Sequence, residues 1–198
     1  FAIAADLGTD RLLIYSFDAS SGNIAPTVPS FFQIEAGSGP RHVAFSRDGR
    51  IIYVINEISC TVTVISVDVL TGKLALLQTV ATIGEKEKQP GDAAEILVHP
   101  SGPFLYASTR QTSTIRLFHI DGRDGTLTRV SDSFTAGQSP VTFAIDPPGR
   151  WLIAANQNSN DLTLFPIDLS TGRLGELHAK TDLQTPSSLV FVPLLGGT

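Results

Sequence analysis

Phe45-Ser46-Arg47-Asp48-Gly49-Arg50, Val98-His99-Pro100-Ser101-Gly102-Pro103 and Ile145-Asp146-Pro147-Pro148-Gly149-Arg150 are three copies of one pattern. They are offset by about 53 and about 47 residues, within the range of repeats that stack one supersecondary unit on the next. Each copy runs into an apolar stretch, Ile51 to Ile55, Phe104 to Ser108 and Trp151 to Ala155. A polar patch follows, and then the alternating triplets Val62-Thr63-Val64, Ile115-Arg116-Leu117 and Leu162-Thr163-Leu164. Short apolar or alternating runs bounded by Gly and Pro read as strands.

A second signature recurs as Asp18-Ala19-Ser20-Ser21-Gly22, Asp68-Val69-Leu70-Thr71-Gly72, Asp121-Gly122-Arg123-Asp124-Gly125 and Asp168-Leu169-Ser170-Thr171-Gly172. Asp supplies a side-chain acceptor for the turn backbone, and Gly supplies a residue that tolerates positive φ. Each unit is then strand A, a Gly turn, strand B, a polar loop, strand C, an Asp/Gly turn and strand D. That is one antiparallel blade of an all-β propeller, with no helix between strands.

The register divides the chain into a partial blade (1–36), three whole blades (37–83, 84–135 and 136–182) and the start of a further blade (183–198). Residues 1–36 match only the later part of a unit, because Asp6 falls opposite Asn56 and Asn156. At the other end, Thr185-Pro186-Ser187-Ser188 aligns with Ser139-Pro140-Val141-Thr142. The expectation is an incomplete arc of about four blades from a longer protein. Such an arc leaves sheet faces uncovered, so self-association, or association with the rest of the propeller, is expected.

Composition sets the partners. With 42% hydrophobic and 17% charged residues the chain can bury a core. The formal net charge of −5 is scattered without a basic block, which argues against nucleic acid. No long apolar stretch spans a membrane. The single cysteine, Cys60, cannot form an internal disulfide, and the cytoplasm is the default compartment. No His/Cys spacing suits zinc or iron, so neither metal nor cofactor is expected.

In a propeller, strand A lines the axis. The start of strand A and the end of strand B then meet on one rim, which collects Arg41, His42, Glu57, Glu95 and Arg110. These positions break the repeat: Arg41 aligns with Ala94, Val141 and Ser187, and His42 with Glu95, Thr142 and Ser188. Scaffold positions recur for structural reasons, so departures of this kind suggest a built site. Two arginines can hold an anion, and two carboxylates with an imidazole can move protons on it. Each residue also has a structural reading: Arg41 as a bridge between blades, Glu57 as its counter-charge, Glu95 as a buried carboxylate needing an arginine, His42 as a hydrogen-bonded strand residue.

Gly39-Pro40-Arg41-His42-Val43-Ala44-Phe45, Tyr53-Val54-Ile55-Asn56-Glu57, Ala93-Ala94-Glu95-Ile96 and Asp146-Pro147-Pro148-Gly149-Arg150 resemble the lactonase family of seven-bladed propellers over nearly the whole chain. The resemblance implies metal-free chemistry on an anionic, lactone-related small molecule. It offers two activities, 6-phosphogluconolactone hydrolysis and carboxy-cis,cis-muconate cycloisomerisation. For the second it places an Arg, a Glu and another Arg on Arg41, Glu57 and Arg110, with a further His before Phe1. The stretch Gly84 to Asp92 resembles the phosphogluconolactonase branch. The resulting expectation is a phosphorylated-sugar lactonase, with Glu57, His42 and Glu95 as catalytic groups and Arg41 and Arg110 as substrate clamps. The alternatives are the cycloisomerase and a non-catalytic propeller segment that binds a partner.

The remaining candidates read as structure. His99 falls in an A–B turn, and His119 and His178 on outer strands. Cys60 sits in a polar loop without the surroundings of a thiol nucleophile. Gly37-Ser38-Gly39 and Gly196-Gly197 precede no helix, so neither is a phosphate cradle.

Overall fold

The computed structural model describes residues 1–84 and 92–192. The part of the Gly84–Asp92 stretch from 85 to 91, and the Gly196-Gly197 pair, lie outside the described residues.

All described regular structure is β. Strands β1 (Ala2–Asp6), β2 (Arg11–Asp18) and β3 (Asn23–Gln33) form a three-stranded sheet in that order. Three four-stranded sheets follow. The first contains β4 (Pro40–Phe45), β5 (Ile51–Asn56), β6 (Thr61–Val67) and β7 (Leu74–Ala81). The next contains β8 (Ala93–Val98), β9 (Phe104–Thr109), β10 (Thr114–Ile120) and β11 (Leu127–Phe134), and the last β12 (Pro140–Ile145), β13 (Trp151–Asn156), β14 (Asp161–Pro166) and β15 (Ala179–Asp182). Strands neighbouring in sequence neighbour in the sheet, as expected of blades, and the first sheet lacks a strand A. The chain divides into two compact units, Phe1–Ile96 with Asp121–Leu127, and Leu97–Ile120 with Thr128–Thr198.

The C–D turns close as their sequences dictate. The N–H groups of Gly22, Gly72, Gly125 and Gly172 donate to the carbonyls of Asp18, Asp68, Asp121 and Asp168 at 2.7–2.8 Å. Each Asp carboxylate accepts a backbone N–H two residues on, from Ser20, Leu70, Arg123 and Ser170. All four glycines have φ between 71° and 76°.

The A–B turns are less uniform. Gly49 and Gly149 take positive φ, whereas Gly102 does not. There His99 acts instead: its Nδ1 accepts the Ser101 N–H at 3.2 Å, and its Nε2 meets the Gly149 carbonyl at 2.8 Å. At 1% exposure, His99 is a buried tie between two turns of the second unit.

Blade-to-blade packing follows a code. The residue that opens a strand B, or directly precedes it at Phe1, covers the C–D glycine of the next blade, so that a Cβ on Gly72 would meet Phe1 at 2.8 Å, on Gly125 Ile51 at 2.6 Å and on Gly172 Phe104 at 2.6 Å. Two residues on, the Tyr53 and Tyr106 hydroxyls donate to the carbonyls of Gly125 (3.0 Å) and Gly172 (2.6 Å). Burial drives both phenol pKa values upward, with Asp48 and Asp124 adding to the effect at Tyr53, so both remain donors. The first unit's core contains Leu12, Ile34, Ile52, Val54 and Ile65, and the second's Phe104, Tyr106, Leu117, Phe143 and Phe165.

A third tie joins B–C loops to the start of the following blade. Asp10 carboxylate oxygens accept the Gly37 and Gly39 N–H groups at 2.8 and 2.7 Å, and Asn160 Oδ1 accepts the Thr185 N–H at 2.9 Å. Cys60 takes the same left-handed conformation as Asp10 and Asn160 (φ 51°, 56° and 56°), and its free thiol is buried. Thr185 has φ 47°, like Gly39 and Ser139 before their prolines. The further strand expected after it does not form: among the described residues, 183–192 carry no strand. Strands A pair with their own strand B, as β4 does with β5 and β12 with β13.

Candidate active site

The start of β4 is bulged. Pro40 pairs with Asn56 and His42 with Ile55, leaving Arg41 as an extra residue in the ladder. A bulge re-aims side chains that would alternate across a regular strand. Here Arg41 and His42, although adjacent, both engage β8: the Arg41 guanidinium donates to the Ala94 carbonyl, and His42 Nδ1 lies 2.9 Å from Glu95 Oε1. Strand β12 bulges at the matching place, with Val141 in the position of Arg41. The backbone device therefore recurs while the chemistry does not.

Arg41 also turns its Nε to Glu57 Oε2 at 3.0 Å, just past the end of β5. Both side chains are about three-quarters buried, at 22% and 25% exposure. Four of the five residues expected at the rim, Arg41, His42, Glu57 and Glu95, thus form two linked pairs within the first unit. Arg110 follows β9 in the second unit, where its carbonyl accepts the Ser113 N–H at 3.2 Å. The bridging role weighed for Arg41 is real, since it ties β4 to β8. Glu95 meets His42.

The Glu95 carboxylate fixes the neighbouring imidazole. Glu95 Oε1 also accepts the Ile96 N–H at 3.0 Å, so this oxygen is an acceptor and His42 Nδ1 is assigned as the donor. The neutral ring then carries its lone pair on Nε2. The His42 side chain is 44% exposed and Glu95 only 14%, a more exposed imidazole backed by a largely covered carboxylate.

Asn56, used in sequence only to set the register, is fully buried beside Glu57. Its Nδ2 donates to Thr61 and Thr63 hydroxyls, both at 2.8 Å. Asn156 makes the same bond to Thr163. The Asn–Thr spacing recurs in the sequence and marks a scaffold clamp that holds the end of strand B. Among the described residues no group of three or more His, Cys, Asp or Glu side chains could hold a metal ion.

The family model described as "Lactonase, 7-bladed beta-propeller" matches residues 1–191. The chain belongs to this lactonase family. A Formosa agariphila protein named 6-phosphogluconolactonase is 34% identical over 187 residues, covering 93% of this chain and 52% of the relative. A Bacillus subtilis protein of the same name is 29% identical over 192 residues, covering 97% of this chain and 54% of the relative. Among solved structures, the periplasmic gluconolactonase of Pseudomonas aeruginosa superposes with a TM-score of 0.89 at 32% identity, covering 96% of this chain and 53% of that one. The chain therefore spans about half the length of the curated relatives it matches. The lactonase fold accounts for the repeat, and the incomplete first sheet is a blade without its strand A.

Proposed function

We propose that this segment carries part of the active site of a lactonase acting on an anionic sugar lactone, 6-phosphogluconolactone being the substrate that the relatives' names favour. The observation that carries the reading is the Glu95–His42 pair beside the Arg41–Glu57 pair at a bulged strand start.

His42 Nε2 takes a proton from water as its oxygen attacks the lactone carbonyl carbon. Negative charge develops on the carbonyl oxygen, and the tetrahedral intermediate collapses by breaking the bond to the ring oxygen. The imidazolium returns its proton to that oxygen, giving the hydroxy acid. Glu95 holds the ring orientation and stabilises the imidazolium. Arg41 has five donors and meets two protein acceptors, Glu57 and the Ala94 carbonyl, so it can hold Glu57 and still present N–H groups to an anion. Glu57 fixes Arg41 and is the alternative base.

The cycloisomerase reading draws on the same residues, whereas the Formosa agariphila and Bacillus subtilis relatives carry the name 6-phosphogluconolactonase. Cys60 decides nothing about the compartment, and the Pseudomonas aeruginosa neighbour is described as periplasmic. Assaying the full-length protein on 6-phosphogluconolactone and on carboxy-cis,cis-muconate separates the readings. Lactone hydrolysis without muconate turnover is expected, and muconate turnover alone would overturn the assignment.

A further inference from the structure

The first unit holds a cavity built from β3 and the C–D turn that precedes β7, outside the cluster of Arg41, His42, Glu57 and Glu95. Its volume is about 480 Å³, and Ile14, Phe32, Leu74, Val28 and Pro29 form most of its apolar wall. It exists because β3 is bulged: Leu13 pairs with Phe31 and Tyr15 with Pro26, so the stretch Thr27 to Ser30 stands opposite Ile14 alone. Thr27 Oγ1 stabilises the bulge by donating to the Pro29 or Ile14 carbonyl, at 2.6 and 3.1 Å, and Val28 is wholly exposed above it.

In the next blade a side chain fills the matching place. Val64 corresponds to Ile14, and its partner in β7 is Gln78. The Gln78 carboxamide reaches the C–D turn of the following blade, where Nε2 donates to the Leu127 carbonyl at 3.0 Å and Oε1 accepts the Leu127 N–H at 2.8 Å. Leu74 is the equivalent of Leu127. Asp68 N–H bonds the Lys73 carbonyl just as Asp121 N–H bonds Thr126. The alternation of an antiparallel ladder then makes Val67 and Leu74 a non-hydrogen-bonded pair, so the Leu74 N–H and C=O turn away from β6. In place of a glutamine, β3 offers the bulge and the cavity.

We infer that this cavity is a binding site for a primary carboxamide carried on a small apolar body, its amide pairing with the Leu74 backbone as Gln78 pairs with Leu127. The volume falls in the range of small-molecule sites, and apolar walls with one oriented polar pair are their usual construction. The backbone pair demands both a donor and an acceptor from the ligand, which distinguishes an amide from a hydrocarbon or a carboxylate.

Benzamide titrated into the ¹⁵N-labelled chain tests this. The Leu74 amide resonance is expected to shift saturably, with N,N-dimethylbenzamide, which lacks the donor, and toluene, which lacks both groups, weaker by about tenfold or more. An unmoved Leu74 resonance, or toluene binding as well as benzamide, overturns the proposal. Gln78→Ala gives an independent reading. If its circular dichroism is unchanged, the Leu127 amide is expected to become benzamide-responsive; a silent Leu127 in the folded variant beside a responsive Leu74 would contradict the claimed equivalence. Because neither readout involves lactone turnover, failure here and failure of the lactonase reading are distinguishable.

Discussion

At the scale of single residues, the backbone glycines and the departures from the repeat are the informative positions. Gly172 has φ 71° and no room for a Cβ, since Phe104 would lie 2.6 Å away, whereas Gly22 has φ 73° and open space around it. Gly172→Ala is expected to cost about 2 kcal/mol or more and Gly22→Ala about 1 kcal/mol, read from urea midpoints; equal losses would contradict the packing account. Tyr106→Phe leaves the buried Gly172 carbonyl without its donor and is expected to cost about 1–2 kcal/mol in the same measurement. Arg41 and His42 could be picked out in the sequence because Ala94, Val141, Thr142 and Ser187 stand at matching positions. Their partners could not. Which carboxylate meets which base depends on the Arg41 bulge, and a one-residue irregularity in a ladder has no signature in the alternation of apolar residues.

At the scale of elements, the four Asp/Gly turns were legible because Asp and Gly have specific roles at fixed offsets. The A–B turn at Gly102 differs from the glycine turns at Gly49 and Gly149, because a buried histidine supplies an acceptor at the position that Ser46 and Asp146 hold there. The turns also govern acid stability. Hydroxyl donors hold three of the turn carboxylates below their ordinary value of 3.8: Ser21 and Ser20 at Asp18, which is brought to about 2, Thr71 at Asp68, and Ser170 at Asp168. Asp132 is lowered as well; burial opposes ionisation there, but bonds from Arg116 and Arg129 together outweigh it. A carboxylate with a depressed folded pKa stabilises the fold above its unfolded pKa and loses that contribution as pH falls through the folded one. Stability should therefore fall between about pH 4 and pH 2. Asp168→Asn should flatten that slope in a pH series of denaturant midpoints, and an unchanged slope would contradict the turn assignment.

At the scale of the whole molecule, a recurring blade pattern carries a site that departs from it. The repeat made three four-stranded sheets readable, whereas its last described copy, Thr185-Pro186, keeps the tie to Asn160 but forms no strand. In the second unit, Ile153, Leu162, Leu164 and Ala179 line a groove of about 200 Å³ on the last sheet. Ile153 stands where Tyr53 and Tyr106 reach a neighbouring glycine turn. Expressed as these 198 residues, the chain is expected to associate through such surfaces, and light scattering that shows a monomer at high concentration would contradict this. The central claim is that lactone hydrolysis depends on the cluster at the start of β4. The most direct test is kcat/KM for 6-phosphogluconolactone, corrected for spontaneous opening, in the full-length protein carrying Arg41→Ala. A fall of about 100-fold or more with the fold intact is the expected result, and turnover equal to that of the unaltered protein would contradict the account.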